Sequence, residues 1–385
     1  MVHTRRSACA SATLMTEPTP SRRDVLTGRA LREQVIAAGE AVADALETAG
    51  PPSRGPILLL RTTAMAADFD VMLNPDGPAD QVAAASDALD EVHRLEERLS
   101  SYREESDLMR LNRAAAEGPV TVDAELYGLL RRAAAIHDQT EGAFDPAGGA
   151  LIRLWQNCRR ENRIPTADEV SAALAVSGLR HVLWNDDERT VAFDRAGVEW
   201  HLGAIGKGFA VDRAVDLLRQ RRVTSALVHG GKSSVFAWGR HAGHEGWPIG
   251  LQNPLLPDRR LVTLLLDDAA LGTSGTAVQG FRHGGKRYGH ILDLRCGWPA
   301  ERMLSVSVVA PDAALADALS TAFFVLGVEN ALRCCDNFPE VGAILFPLPA
   351  DGRTLEPVVH NIPPTRLFWT DSVRWRQGRE AGRFA

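Results

Sequence analysis

Lysine is almost missing from this 385-residue chain: only Lys207, Lys232 and Lys286 among 43 basic residues, each directly after a glycine, with arginine supplying the rest. Cysteine is scarce as well, with five residues at Cys9, Cys158, Cys296, Cys334 and Cys335. An odd, sparse set in a chain this long excludes a disulfide framework and suits a reducing compartment. Cys334 and Cys335 are adjacent and fit no zinc-ligand spacing, which argues against a structural zinc. No apolar run approaches the ~20 residues a helix needs to cross a bilayer, so stable membrane insertion is not expected. Nor does one sign of charge dominate: 43 basic against 49 acidic residues leave a net charge of −6. No strong global field therefore favours nucleic acid or an anionic membrane.

What the chain does have is ordinary globular composition, 45% hydrophobic and 24% charged, in a length that suits one large or two intimately packed domains. Residues 1–55 read as a tail, partly helical (31–48) or disordered, closed by Gly50-Pro51-Pro52-Ser53. Within the tail, Ser21-Arg22-Arg23-Asp24-Val25-Leu26 resembles a twin-arginine export signal. The residues behind it are charged and lack the apolar stretch of about 7–15 residues such a signal needs. A cytoplasmic location is expected, with export through a degenerate leader as the alternative.

Residues 56–350 read as the folded domain, and 351–385 as a C-terminal extension. Apolar positions Val82, Ala85, Leu89, Val92, Leu95 and Leu99 recur at three- and four-residue steps, which predicts a helix over 82–99. Helices are also expected over 126–137, 208–219 and 313–326, the last closed by Gly327. Residues 182–184 and 190–193 flank an Asn-Asp-Asp turn and read as a hairpin; further strands are expected at 57–60, 226–231, 261–266, 290–293 and 304–309. Strands and helices alternate irregularly, so the expected class is α+β rather than a doubly wound sheet.

Two familiar motifs are excluded. Gly203-Ala204-Ile205-Gly206-Lys207-Gly208 has two residues between its first glycines where a phosphate loop has four, and no Ser or Thr after the lysine. Gly272-Thr273-Ser274-Gly275-Thr276 lacks the final glycine of a nucleophile elbow. Other features carry chemistry. Asp317 and Thr321 are four apart on one helical face and offer two hard oxygen ligands of the kind Mg²⁺ takes; the alternative is that Asp317 caps the helix and Thr321 bonds back to the chain. The glycines at 203, 206 and 208 precede a helix, where backbone N–H groups can receive a pyrophosphate and Lys207 adds a point charge; a tight strand-to-helix turn is equally consistent. His290 is expected in a short strand, on the same face as Tyr288. Ser274 sits in a Thr-Ser-Gly turn.

Five segments occur in a characteristic order: Ser100-Ser101-Tyr102-Arg103 within 99–112, Gly142-Ala143-Phe144-Asp145-Pro146, Leu202 to Asp212, Gly289-His290-Ile291-Leu292-Asp293-Leu294-Arg295-Cys296-Gly297, and Ala316-Asp317-Ala318-Leu319-Ser320-Thr321-Ala322. Their order and spacing resemble the ApbE family, the FAD:protein FMN transferases, over roughly residues 57–350. The resemblance implies two intimately packed lobes with a T-fold-like core and a flavin nucleotide site between them. It implies Mg²⁺ held by Asp317, Thr321 and the backbone carbonyls of Ser320 and Ala204, with His290 handling a proton at the reacting phosphate. FAD, the substrate, would be met by Tyr102, Phe144, Asp145, Gly203, Lys207, Gly230, Gly231, Ser274 and Arg295. FMN would pass to a Thr or Ser hydroxyl of an acceptor protein, a redox membrane subunit being one candidate, with release of AMP. The alternatives are Mg²⁺-dependent FAD hydrolysis and a catalytically decayed FAD-binding protein. The chain departs from the family pattern at His201, where Asp is usual, at Lys232, at Leu294 and Cys296, and at Met65-Ala66-Ala67. His201 removes a carboxylate near the expected metal, and Lys232 adds a cation.

Overall fold

The computed structural model describes residues 55–276, 280–370 and 376–378. The tail with its expected helix over 31–48 lies outside the described residues. In chain order come β1 (Leu58–Ala64), β2 (Ala67–Leu73), α1 (Gln81–Leu99), α2 (Asp107–Ala114), β3 (Val120–Thr121), α3 (Ala124–Gln139), α4 (Gly149–Arg160) and α5 (Ala167–Ala175). Next are β4 (Val182–Asn185), β5 (Thr190–Phe193), α6 (Gly206–Gln220), β6 (Ala226–Gly230), β7 (Ser234–Trp238), β8 (Trp247–Asn253), β9 (Leu256–Leu266) and β10 (Ala269–Gly275). The chain continues through β11 (Gly280–His283), β12 (Lys286–Gly289), β13 (Leu292–Asp293), β14 (Trp298–Pro299), β15 (Met303–Ala310), α7 (Ala313–Cys334), β16 (Gly342–Pro347), β17 (Val358–His360), β18 (Leu367–Trp369) and β19 (Arg376–Gln377).

A nine-stranded sheet in the order β1-β2-β6-β7-β10-β15-β16-β17-β19 is the frame. Its pairs are antiparallel except the last, β17 with β19. Side chains alternate between its two faces, and both faces are covered. Phe69, Val71, Val228 and Phe236 belong to the larger core, shared with α1, α6 and α7, while Met72, Leu227, Val235 and Leu271 pack with Trp247, Val262 and Leu264 of the three-stranded sheet β18-β9-β8. Helices α2 to α5 and the small sheet β3-β5-β4 make a second lobe. Its Leu108, Leu111, Leu130 and Trp200 join the larger core, so the two lobes of this α+β fold are intimately packed.

Helix α1 appears where the periodicity predicts it, rotated slightly: Val82 is 47% exposed while Gln81 is buried. Helix α7 is apolar on every side and is, among the described residues, the one helix long and apolar enough to cross a membrane. It is instead a core helix, packed on β10, β15 and α6. Gly327 breaks it with φ 73° where a C-cap was expected, and helix resumes beyond. Two glycines let neighbours approach its first turns. A Cβ on Gly208 would collide with the Ala313 carbonyl, and one on Gly272 with the Ala316 carbonyl.

Two sequence expectations change. His290 is not in a strand: β12 ends at Gly289, β13 starts at Leu292, and His290 occupies the exposed bend between two separate ladders. Tyr288 is buried, so the two residues do not share a face. The segment after residue 350 is built into the fold, because β17 extends the large sheet and β18 pairs with β9.

Candidate active site

Asp317 stands on α7 facing the first turn of α6, 6% exposed. Its Oδ2 accepts hydrogen bonds from Ser234 Oγ at 2.7 Å and from the Gly208 amide at 2.8 Å. Its Oδ1 accepts none among the described residues. Burial pushes this carboxyl up to about 6, against the pull of the Lys207 charge and the two hydrogen bonds. Capping of α7 falls to other groups: Asp312 Oδ1 accepts from the Leu315 amide, and Asp212 on α6 accepts from the Ala313 and Ala314 amides at 2.7 and 2.9 Å. Asp317 is therefore not the helix cap.

Because Gly208 donates to Asp317, its amide does not reach back to the Ala204 carbonyl as a regular helical turn would require. That carbonyl accepts no hydrogen bond among the described residues. Thr321 lies one turn beyond Asp317, its Oγ1 3.2 Å from Ser274 Oγ, which in turn is 2.8 Å from Ser320 Oγ. Ser320 Oγ donates to the Asp317 carbonyl at 2.9 Å. A hydroxyl has one proton. Ser320 uses its own on Asp317, so Ser274 donates to Ser320, and Thr321 donates to Ser274. Thr321 Oγ1 then accepts no hydrogen bond among the described residues.

A free carboxylate oxygen, a hydroxyl whose proton is already bonded, and an open backbone carbonyl make a set of hard oxygens. The residues present fit Mg²⁺. Lys207, half-buried on the first turn of α6, has no ion pair among the described residues; its stem lies 3.8 Å from the position a Cβ on Gly231 would take. Gly231 and Lys232 both have positive φ, 63° and 62°, which forms the turn from β6 into β7. Gly230 serves packing, since a Cβ there would press on the Phe69 ring. The glycine run at 203–208 is likewise a packing device first: the Gly206 amide donates to Leu202 O and the Gly208 amide to Asp317. That leaves Lys207 as the cation of the turn.

A second group lies in the smaller lobe. Asp145 Oδ1 accepts from the Ala147 amide at 2.9 Å, its Oδ2 lies 3.5 Å from His137 Nδ1, and burial raises its pKa. Asp145, His137, Arg180 and Arg295 line a cleft of about 250 Å³. Arg295 is already forked onto Asp293, with both bonds at 2.8 Å, so it is not a free clamp. Phe144 is 2% exposed and anchors its loop in the core rather than facing a ligand. Between the groups, the His201 amide donates to Pro146 O at 2.7 Å, and Tyr102, 73% exposed, meets the His201 ring edge-on at 6.3 Å. His201 Nδ1 accepts from the Gly203 amide at 3.3 Å, which assigns the proton to Nε2, a buried atom without a hydrogen-bond partner among the described residues. Burial lowers the His201 pKa, and the Lys207 charge adds to the effect.

The structure thus gathers Asp317, Ser320, Thr321, Ser274 and Ala204 with Lys207 and Gly231 nearby, and joins the Asp145-Pro146 loop to Tyr102 through His201. Sequence reasoning missed Ser234, Asp212, His137 and Arg180. Ser234 had no local signal, being 83 residues from its partner.

Comparison with known proteins meets this geometry. The ApbE family model matches residues 65–345. The chain belongs to the ApbE family. It is 34% identical over 264 residues to the FAD:protein FMN transferase of Klebsiella pneumoniae, covering 68% of this chain and 81% of that protein. It is 36% identical over 290 residues to the enzyme of the same name from Treponema pallidum, covering 70% and 79%. Among solved structures, the ApbE protein of Thermotoga maritima superposes with a TM-score of 0.70 at 31% identity, covering 78% of this chain and 96% of that one. The flavin transferase ApbE of Vibrio cholerae does so with a TM-score of 0.70 at 25% identity, covering 79% and 96%.

Proposed function

We propose that this ApbE-family chain is an FAD:protein FMN transferase that moves FMN, in a Mg²⁺-dependent reaction, onto a Thr or Ser hydroxyl of an acceptor protein and releases AMP. The observation that carries the reading is the oxygen set at Asp317, Thr321 and Ala204, in which hydrogen bonds inside the protein leave one carboxylate oxygen, one hydroxyl lone pair and one carbonyl open. Asp317, Thr321 and the carbonyls of Ala204 and Ser320 would hold the cation, which when bound neutralises charge on the pyrophosphate of FAD. Lys207 contributes a second positive charge on the α6 side. The Tyr102 ring, largely exposed, offers a stacking face to a flat heterocycle, and Asp145 fixes its own loop by accepting from the Ala147 and Leu179 amides.

In the reaction the acceptor oxygen bonds to the flavin-side phosphorus, the phosphorus–oxygen bond to AMP breaks, and the hydroxyl proton passes to a base. His290 is the proposed base, and its place on an exposed bend lets it return that proton to water. The test is incubation of the full chain with FAD, Mg²⁺ and a Thr-containing acceptor peptide, followed by mass spectrometry of the peptide and quantification of AMP. Covalent FMN on the peptide with equal AMP is the expected result, lost in Asp317→Ala while circular dichroism shows an intact fold. Free FMN with AMP would replace transfer by hydrolysis, and FAD binding without either product would make the chain a binding protein. A fully active Asp317→Ala enzyme would remove the metal assignment.

A further inference from the structure

Residues 269–292 contain no carboxylate. They run from β10 into the β11–β12 hairpin, where Arg282 stands directly opposite Arg287, and His283 opposite Lys286. Like charges at directly opposed positions weaken an antiparallel pair, so the hairpin must be held by something else. Its inner face supplies that. Phe281 and Tyr288 stack at 5.5 Å and both lean on Trp155 of α4. The polar groups on that face are answered: His283 Nδ1 lies 2.9 Å from Asn162 O, and Lys286 Nζ lies 2.7 Å from Glu301.

The outer face is different. By strand alternation it carries Gly280, Arg282, Arg287 and Gly289. Arg287 makes one hydrogen bond, to the Thr276 carbonyl, and Arg282 makes none among the described residues; neither has an ion pair there. A Cβ on Gly289 would meet nothing within 4 Å, so the backbone between the arginines and the His290 bend lies open. Thr276 is two residues from Ser274, so Arg287 ties this face to the hydroxyl cluster beside Thr321.

We propose that the outer face of the β11–β12 hairpin docks an acidic segment of the acceptor polypeptide, with Arg282 and Arg287 pairing its carboxylates and an extended chain lying along the glycine-flanked ribbon. This rests on the reading of the chain as a transferase to protein. Charge complementarity selects the occupant: two guanidinium groups that make no ion pair among the described residues suit planar carboxylates, and the open space at Gly289 leaves room for a backbone. The FAD pyrophosphate has its own cation at Lys207 on α6.

The test separates docking from chemistry. Two fluorescein-labelled peptides with one central Thr, flanked by Asp in one and Asn in the other, are titrated into the full chain and followed by anisotropy, with FAD binding followed separately by flavin fluorescence. Wild type should bind the Asp peptide about tenfold more tightly than its Asn twin, and added salt should erase the preference. Arg282→Glu should abolish that preference, Arg282→Lys should keep most of it, and neither should change FAD affinity. Folding is not at risk, because the Glu substitution replaces a repulsive cross-strand pair by an attractive one. Equal binding of the two peptides by wild type, or an undiminished preference in Arg282→Glu, would overturn the proposal. Weakened FAD binding in Arg282→Glu would assign the hairpin to the nucleotide instead. A retained peptide preference without FMN transfer would count against the transferase reading and leave docking standing.

Discussion

Gly208 donates its amide to Asp317 Oδ2 at 2.8 Å, a bond that joins the first turn of α6 to α7 across 109 residues of sequence. The bond exists because Gly208 has no Cβ. With one, the side chain would collide with the Ala313 carbonyl. The same glycine therefore sets how close the two helices come, where the Asp317 carboxylate points, and whether the Ala204 carbonyl stays open.

Gly208→Ala should separate the helices. Overpacking at such a contact costs about 1–3 kcal/mol, and the lost hydrogen bond to a buried carboxyl adds to it. We expect urea unfolding to shift by about 2–4 kcal/mol and the stabilisation by added Mg²⁺ to shrink as well. Unchanged stability and an unchanged Mg²⁺ response would show that α6 accommodates the methyl without moving.

Much of this was legible in sequence for a physical reason: each legible feature is local. The three- and four-residue apolar steps of α1, the Asp-x-x-x-Thr spacing on α7 and the turn at Gly327 are properties of neighbouring residues. What was not legible is tertiary. Ser234 reaches Asp317 across 83 residues, and nothing near Ser234 announces it. The strand expected at His290 failed because Gly289 ends one ladder and Leu292 opens another, a change of partner invisible in hydrophobic alternation. Arg295 was read as able to fork onto phosphate or carboxylate, and in the structure its fork rests on Asp293, two residues away. The loop of Phe144 was expected against the nucleotide; Phe144 itself anchors that loop in the core through its apolar area.

Asp212 yields a pH prediction. It accepts the first two amides of α7, and burial together with the nearby Asp312 charge pushes its pKa up to about 7, against those amide bonds. A carboxyl with a raised folded pKa stabilises the native state most when protonated. Its contribution is fully present below the ordinary carboxylate range and lost as pH rises through about 7. In Asp212→Asn the position no longer titrates, and one of the two amides loses its acceptor. The resulting deficit in stability should be larger at acidic pH and shrink towards neutral pH. Urea unfolding of both proteins across that range checks the slope, and a deficit independent of pH would show that Asp212 titrates normally.

The final prediction concerns His201, a position where the resemblance to the ApbE family leads one to expect Asp. Its Nδ1 holds the Gly203 amide, its buried Nε2 has no hydrogen-bond partner among the described residues, and both burial and Lys207 favour the neutral ring. A neutral imidazole beside Lys207 leaves this turn more positive than a carboxylate would, three residues before Ala204. A carboxylate could still accept the Gly203 amide, so His201→Asp should fold. It should also draw a divalent cation towards the oxygens at Asp317 and Thr321, lowering the half-saturating Mg²⁺ by a few-fold to about tenfold. With the proposed ligands Asp317 and Thr321 unchanged, the rate at saturating Mg²⁺ should match wild type. His201→Asn, of similar size but uncharged, separates charge from shape and should leave the Mg²⁺ response where wild type has it. Activity against Mg²⁺ at saturating FAD gives one readout, and the rise in melting temperature with Mg²⁺ gives a second that needs no turnover. If the curves of wild type and His201→Asp superimpose in both, the charge at position 201 does not reach the metal, and the histidine is there to pack against Tyr102 and hold Gly203.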